Sequence, residues 1–195
     1  PSGRGAAGAV YARSRRAGRA LADGTVHAGD LGLSRESEAA WGARFRVGLL
    51  DVLEVVDEPG AAGTTSKALL GTADGRRIEC VRIPMPGGDG SKATLCVSSQ
   101  AGCRMGCAFC ETGSKGFFRD LRAAEIVSQA VTARARLGWS FGNVVFMGMG
   151  ECLDNFSEVA RALAVLNEPR GLGCSWERLT LCTCGPPGGV ERLRE

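Results

Sequence analysis

The chain has 195 residues, of which 44% are hydrophobic and 23% charged, and its formal net charge is +3. This length allows one large domain or two small ones with a buried core, and the composition is that of a globular protein rather than a disordered one. No apolar run reaches the roughly 20 residues of a membrane-spanning helix. The small positive charge is compatible with an RNA partner but does not indicate one by itself.

The first 45 residues are rich in Gly, Ala and Arg and carry a weak helical pattern at 36–41, which predicts a mostly helical N-terminal region. The chain begins with Pro1 rather than methionine, and the apolar segment of a secretory signal is missing. We expect a cytoplasmic protein, or an organellar one if the Arg- and Ala-rich start is the remnant of a transit peptide.

A β-hairpin is predicted next. Residues 45–56 fit a helix or a strand, but the runs 66–70 and 78–83 flank the turn pair Asp74-Gly75 and predict two antiparallel strands. Proline and glycine then dominate residues 84–90. We therefore predict an accessory region at 1–88, helical and then a hairpin, and a core domain at 89–195.

Strand and helix patterns alternate through the core domain. Strands are predicted at 93–97, 143–147 and 178–182, and helices at 121–137, at 156–166 and from 190 to the last residue. Such units predict an α/β fold with a parallel sheet, whose functional loops follow the strand C-termini. A closed (β/α)₈ barrel takes about 250 residues. About three units therefore give a partial barrel, and we expect the sequence to be truncated at both ends.

Three cysteines follow the first of these strands, and they are Cys103, Cys107 and Cys110. Thiolates are soft ligands, and a loop this short can direct three of them at one centre. A structural zinc site needs four protein ligands, usually as two separated pairs, and the single histidine, His27, lies far upstream. A [4Fe–4S] cluster has four irons, so three cysteines leave one iron for a ligand that is not protein.

The spacing of these cysteines resembles that of radical S-adenosylmethionine (SAM) enzymes, and Phe109 matches the aromatic residue usual before the last cysteine. In that superfamily the open iron is chelated by the amino and carboxylate groups of SAM, which the reduced cluster cleaves to a deoxyadenosyl radical. The alternative is three buried or redox-active cysteines, because cysteine patterns do produce false matches.

From about residue 67 to residue 185 the chain is similar to one radical-SAM family, the RNA-methylating enzymes of the RlmN/Cfr group. The matching segments lie at 79–84, 94–100, 112–129, 143–151 and, less well, 181–185. The resemblance implies methyl transfer to an adenine ring carbon of ribosomal RNA, with carbon 2 as the expected position and transfer RNA as a further candidate. It also implies a [4Fe–4S] cluster, SAM, a monomer and a reducing partner such as flavodoxin or ferredoxin.

The resemblance assigns roles residue by residue. Cys103, Cys107 and Cys110 would ligate the cluster, and Gly150 and Glu151 would contact SAM, because glycine lets backbone approach a ligand and a carboxylate can accept from its ammonium group. Two further residues would take part in catalysis, namely Cys96, which would resolve a protein–RNA crosslink as a thiolate, and Glu79, proposed as a general base. The alternative to a catalytic role is a small buried strand residue for Cys96 and a solvated surface carboxylate for Glu79.

The sequence also departs from the family pattern. The methyl-carrying cysteine of the family would lie beyond residue 195, so we expect these residues alone to be inactive. Cys152 stands where proline is usual, and Cys182 and Cys184 replace serines of which the first is expected to contact SAM; a thiol donates more weakly than a hydroxyl. Cys80 and Cys174 have no assigned role. The rival interpretations are another radical-SAM enzyme, a zinc- or redox-binding module, and an inactive relic.

Overall fold

The structure is a computed structural model, and it describes residues 34, 36, 49–87, 92–169 and 171–194. Most of the predicted N-terminal helical region lies outside the described residues. A mixed six-stranded sheet dominates the described part, with a two-stranded ribbon and three α-helices beside it. The strands are β1 (Asp51–Gly60), β2 (Gly63–Gly71), β3 (Arg77–Pro84), β4 (Ala93–Cys96), β5 (Gln100–Gly102), β6 (Phe117–Asp120), β7 (Asn143–Phe146) and β8 (Leu179–Leu181). The helices are α1 (Glu111–Ser114), α2 (Ala123–Ala135) and α3 (Phe156–Asn167).

The first half of the sheet is antiparallel. β2 and β3 pair across a turn at residues 72–76, so the predicted hairpin is confirmed. β1 adds an outer strand to it, so residues 51–56 of the ambiguous segment 45–56 form a strand, while residues 45–48 lie outside the described residues. β3 then pairs with β4. The two predicted regions thus share one sheet, and the division at residue 88 stays a prediction.

The second half of the sheet is parallel. β7 lies between β4 and β8 and runs parallel to both, as the alternation of strands and helices predicts. α2 connects back towards β7 and α3 towards β8, so the α/β class and the partial barrel are confirmed. The predicted third helix is instead a 3₁₀ turn at Glu191–Arg194. In the described ranges no helix is long and apolar enough to span a membrane.

One apolar cluster joins the sheet to both helices. Each helix presents a fully buried stripe at helical spacing, which is the pattern of an element packed on one side. These stripes are Ile126, Ala130 and Ala133 on α2, and Val159, Ala162 and Leu166 on α3. They pack in the cluster that also holds Leu95 of β4 and Val144 of β7. This core fixes the C-terminal ends of the parallel strands, from which the functional loops leave.

The ribbon of β5 and β6 was not predicted. β5 is three residues long and β6 is four, so neither carries enough alternation to be recognised as a strand. The two strands pair antiparallel, from Gln100 opposite Asp120 to Gly102 opposite Phe117. The ribbon closes the base of the loop that carries the three cysteines.

Candidate radical-SAM site

The cysteine loop, residues 103–116, leaves and re-enters the β5–β6 ribbon. The Cys103 amide donates to the Gly116 carbonyl at 3.0 Å and closes the loop at its base. Gly102 has a φ of 79°, and a Cβ there would collide with the Gly116 carbonyl. Inside the loop the Cys110 amide donates to the Cys107 carbonyl at 3.0 Å. Glycine is therefore required where the strands approach each other, and the chain turns tightly between the second and third cysteines.

All three cysteines of the loop are free thiols and half-buried. Burial raises the pKa of Cys103, and the proximity of Cys110 and Cys107 raises it further, so the three thiols are electrostatic neighbours. In the part of the chain that the structure describes, no three His, Cys, Asp or Glu side chains already form a metal-binding group. The donor set nevertheless fits an iron–sulfur cluster in its chemistry, because it offers three soft, reduced, partly accessible thiols from one loop.

The Gly148-Met149-Gly150 turn follows β7 and packs directly on the segment after β4. A Cβ on Gly148 would lie 2.7 Å from the Ser98 hydroxyl oxygen, and one on Gly150 would lie 2.5 Å from the Gln100 Cβ. Gly150 also has a φ of 99°, in the region that favours glycine. The two glycines are therefore needed for the close packing of two loops of the chain itself. Their predicted role of admitting a ligand stays a prediction.

Glu151 is a buried carboxylate whose oxygens both accept hydrogen bonds from the backbone. Oε1 accepts from the Leu153 amide and Oε2 from the Cys184 amide, each at 2.9 Å. Burial acts to raise the pKa of Glu151, but the amides of Leu153 and Cys184, with the Thr183 hydroxyl, outweigh it and hold the pKa below its usual range. Glu151 thus joins the loop after β7 to the loop after β8 as an ionised side chain.

A cavity of about 350 Å³ opens where these segments meet. It lies between β3, the end of β4, the cysteine loop and the turn after β7. Three sequence-predicted residues share its wall, namely Glu79, Cys96 and Cys110. The remaining lining residues are Val81, Phe109, Glu111, Thr112, Met147, Gly148 and Met149. A predicted cluster ligand and both predicted catalytic residues therefore face one space.

The two predicted catalytic residues differ in their surroundings. Cys96 is 6% exposed. Burial raises the pKa of its thiol to about 11, and the nearby Cys182 and Glu79 act in the same direction, whereas one backbone hydrogen bond acts to lower the pKa. The thiol is therefore protonated at neutral pH. Glu79 lies on β3 with its side chain 38% exposed, and its Oε1 forms an ion pair with the Lys67 Nζ at 3.3 Å. Its carboxylate is accessible to solvent and to the cavity.

Sequence reasoning missed a set of buried polar residues that hold the loops together. Gln129 of α2 accepts from the Ser98 amide and donates to the Ser98 carbonyl, both at 2.8 Å. Asn155 donates to the carbonyls of Ser99 and Leu121, again at 2.8 Å. Asparagine and glutamine inside apolar patterns were the available signal, because buried amides need partners. The signal could not name those partners, which lie 31 or more residues away.

Arg119 lies in a segment that matches the family, but the sequence assigned it no role. Its guanidinium binds Asp74 in the β2–β3 turn and Glu125 at the start of α2, with contacts of 2.7 to 2.9 Å. Hydrogen bonding from Arg119 holds the pKa of Asp74 well below its usual range. The hairpin, the ribbon and α2 are therefore joined at one charged residue.

The cysteines that depart from the family pattern lie beside this site. Cys152 is buried, and its thiol donates to the Cys182 carbonyl at 3.2 Å, so it links the loops after β7 and β8. Burial and the neighbouring Glu151 raise the pKa of Cys152 to about 12. A hydrogen bond to Glu151 raises the pKa of the exposed Cys184 to about 11. Cys80 and Cys174 are both buried, and among the described residues they keep no assigned chemical role.

The fold and the loop positions identify the class of protein. The sequence model of the Radical SAM superfamily matches residues 97–195. The chain therefore belongs to the radical SAM superfamily, which implies SAM and an iron–sulfur cluster as cofactors.

Individual relatives show which members of the superfamily the chain is similar to. A dual-specificity RNA methyltransferase RlmN of Syntrophobacter fumaroxidans is 48% identical over 156 residues, covering 76% of this chain and 44% of that protein. A probable dual-specificity RNA methyltransferase RlmN of Moorella thermoacetica is 46% identical over 138 residues, covering 68% and 39%. The crystal structure of a radical SAM methyltransferase from Sphaerobacter thermophilus aligns with a TM-score of 0.78 and 34% identity, over 97% of this chain and 53% of that one. The resemblance to the RlmN/Cfr group is confirmed, and the chain spans about half the length of these relatives or less.

Proposed function

We propose that the protein is a radical-SAM RNA methyltransferase. It transfers a methyl group to an adenine ring carbon, carbon 2, of ribosomal RNA, with transfer RNA as a further substrate. The observation that carries the proposal is the shared cavity, where Cys110, Cys96 and Glu79 line one wall at the C-terminal ends of the parallel strands. The relatives named as dual-specificity RNA methyltransferases support the substrate class.

In this proposal Cys103, Cys107 and Cys110 hold a [4Fe–4S] cluster, and the loops after β7 and β8 bind SAM. The cluster, when bound, supplies the one-electron chemistry that cleaves SAM. The chain's own contribution is to hold and orient these ligands. The half-buried thiols remain accessible to iron, and Glu151 joins the loops after β7 and β8 through its two backbone hydrogen bonds.

Cys96 and Glu79 would act on the RNA side of the cavity. Cys96, held protonated by burial, becomes a nucleophile only after losing a proton, and it would then resolve a crosslink formed through a methylated cysteine that these residues do not include. Glu79 is the carboxylate on the same wall that can take a proton from the adenine ring. The protein would work as a cytoplasmic monomer with a flavodoxin- or ferredoxin-type reductant.

Iron binding is the first test. The full-length protein, reconstituted anaerobically with iron and sulfide, should bind about four irons per chain and acquire the broad visible absorption of thiolate-bound iron. Cys107→Ala should lose both signals. Cys174→Ala is the matched control, because Cys174 is a buried cysteine outside the cysteine loop, and it should keep them. Zinc bound in place of iron would end the radical-SAM proposal and favour a zinc module.

RNA methylation is the second test. The reconstituted full-length protein with SAM, a reductant and ribosomal RNA should yield an adenosine that carries a ring-carbon methyl group, detected by nucleoside mass spectrometry. Cleavage of SAM without any modified nucleoside would favour a radical-SAM enzyme with another substrate. Neither cleavage nor modification in an iron-loaded protein would favour an inactive relic.

A further inference from the structure

Asp154, three residues after Glu151, connects the cysteine loop to the interior of the fold. One of its carboxylate oxygens, Oδ2, accepts from the Arg104 Nε and from the Gln100 Nε2, each at 2.8 Å. Arg104 lies between the first two cysteines, and its guanidinium stacks on the Phe117 ring, 3.9 Å from the centroid. A charge-assisted hydrogen bond and a stacked face restrict an arginine more than either contact would alone. The cysteine loop is therefore tied to the residue that follows the glycine turn.

Gln100 continues the connection inwards. It is completely buried, and its amide nitrogen donates to Asp120 at 2.7 Å as well as to Asp154. Its amide oxygen accepts from the Glu151 amide at 2.9 Å. Both amide hydrogens and the amide oxygen are thus used, and no rotation of this side chain preserves all three bonds. The side chain also fills the space in which a Cβ on Gly150 would stand.

We propose that Arg104, Asp154 and Gln100 are positioning residues that couple the conformation of the cysteine loop to that of the Gly150-Glu151 turn. The assignment rests on the proposed function, in which the loop holds the cluster and the turn meets SAM. Loss of Arg104 removes one of the two donors that hold Asp154 Oδ2, and a shift of Asp154 then passes through Gln100 to the Glu151 amide. Two ligand-holding segments, residues 103–116 and residues 150–151, are in this way held in one relative geometry.

The coupling differs from ordinary stabilisation because its effect appears at a distance. Arg104 and Asp154 are both partly exposed, with 49% and 23% of their side chains accessible. Asp154 also keeps its hydrogen bond from Gln100, so replacing Arg104 leaves no buried charge without a partner. A purely local role would change the dynamics of the cysteine loop alone. The proposed coupling also changes the Glu151 amide, which Arg104 does not touch.

Amide hydrogen exchange of the full-length protein without cluster or SAM tests the coupling directly. Arg104→Gln and Asp154→Asn should each speed the exchange of the Glu151 amide and of loop amides by about fivefold or more, the lower end of typical coupling energies. The double variant should exchange no faster than the faster single one, because both remove the same connection. Lys115→Gln is the matched control, since the Lys115 side chain is similarly exposed at 55% and pairs with Glu111 in the same loop. Loss of that ion pair should leave the exchange rate of the Glu151 amide at the parent value.

SAM affinity of the reconstituted protein is the second measurement, and the same single variants should weaken it about fivefold. Parent-like exchange at Glu151 in Arg104→Gln and Asp154→Asn, or additive effects in the double variant, would overturn the coupling. A parent protein that binds neither iron nor SAM would instead overturn the proposed function, and exchange would still decide the coupling. Neither test variant changes the completely buried Gln100, so the result does not depend on whether a variant of the core folds.

Discussion

The cysteine loop and the Gly150-Glu151 turn are built in opposite ways, although each follows a strand, β5 of the ribbon for the loop and β7 of the main sheet for the turn. In the loop, the cysteine side chains are half-buried and Phe109 is 93% exposed. In the turn, Glu151, Cys152 and Leu153 are at most 4% exposed. The loop keeps its donor atoms accessible, whereas the turn uses its polar atoms on the protein itself. The thiols of the loop therefore stay open to solvent, and the turn is held in one shape by its own hydrogen bonds.

Hydrogen bonding explains the difference. A buried carboxylate is costly unless donors surround it, and the amides of Leu153 and Cys184 supply them at Glu151. Thiols are weak donors and cost little when they are left without partners. The cysteine loop can therefore keep its three thiols partly exposed, whereas each carboxylate oxygen of the turn needs a donor.

Adding a methyl group at the two segments should give the largest contrast. Gly150→Ala places a Cβ against Gln100 and also strains a φ of 99°, so we expect a loss of about 3 kcal/mol in the free energy of unfolding. Gly106→Ala, in the cysteine loop, has a φ of 62° and open space around it, so only the backbone strain of about 1 kcal/mol remains. Urea unfolding of the metal-free protein measures both. Equal losses would mean that the turn is no more tightly packed than the loop.

Removing the charge of Glu151 should have a smaller effect, and one that depends on pH. Glu151→Gln replaces one acceptor by a donor that faces a backbone amide, which should cost about 2 kcal/mol at pH 7. The folded-state pKa of Glu151 lies below its usual value of 4.5, so the carboxylate contributes its stability above that value and loses it as the pH falls through the folded pKa. The stability difference between parent and variant should therefore shrink in acid.

Unfolding curves of parent and variant, measured from pH 7 downwards, check this dependence. Glu111→Gln is the matched control, because the Glu111 side chain is 82% exposed and pairs only at the surface of the loop segment with Lys115. It should change the stability little at any pH. A Glu151→Gln difference that stayed constant through the acid range would contradict the ionised, hydrogen-bonded carboxylate.

The smallest effect is expected at the tip of the cysteine loop. Phe109→Ala removes a large side chain that is 93% exposed, so the stability of the metal-free protein should change by less than about 0.5 kcal/mol. Phe141→Ala is the comparison, because Phe141 is 5% exposed within the core, and it should cost about 3 kcal/mol or more. Thermal unfolding distinguishes them. A large loss at Phe109 would show that the loop is packed in a way its exposure does not suggest.

The elements with strong local patterns were predictable from the sequence. Helical periodicity located α2 and α3 to within two residues at each end, and Asp74-Gly75 located the hairpin turn. β5 and β6 were missed because strands of three and four residues have too little pattern, and they form by pairing with each other. The last predicted helix became a 3₁₀ turn of four residues.

The candidate site also has one part that local sequence predicts and another part that it does not. The spacing of Cys103, Cys107 and Cys110 placed three thiols in one loop because neighbours in sequence cannot be far apart in space. The sequence alone therefore determined the donor set, the strand–helix order and the resemblance to a family. Only the tertiary structure decided that Glu151 is held by amides from two loops, that Gln100 and Asp154 join the turn to the cysteine loop, and that Cys96 and Glu79 share a cavity with Cys110. These contacts depend on how distant strands pair and pack, and no local pattern of residues encodes such pairing.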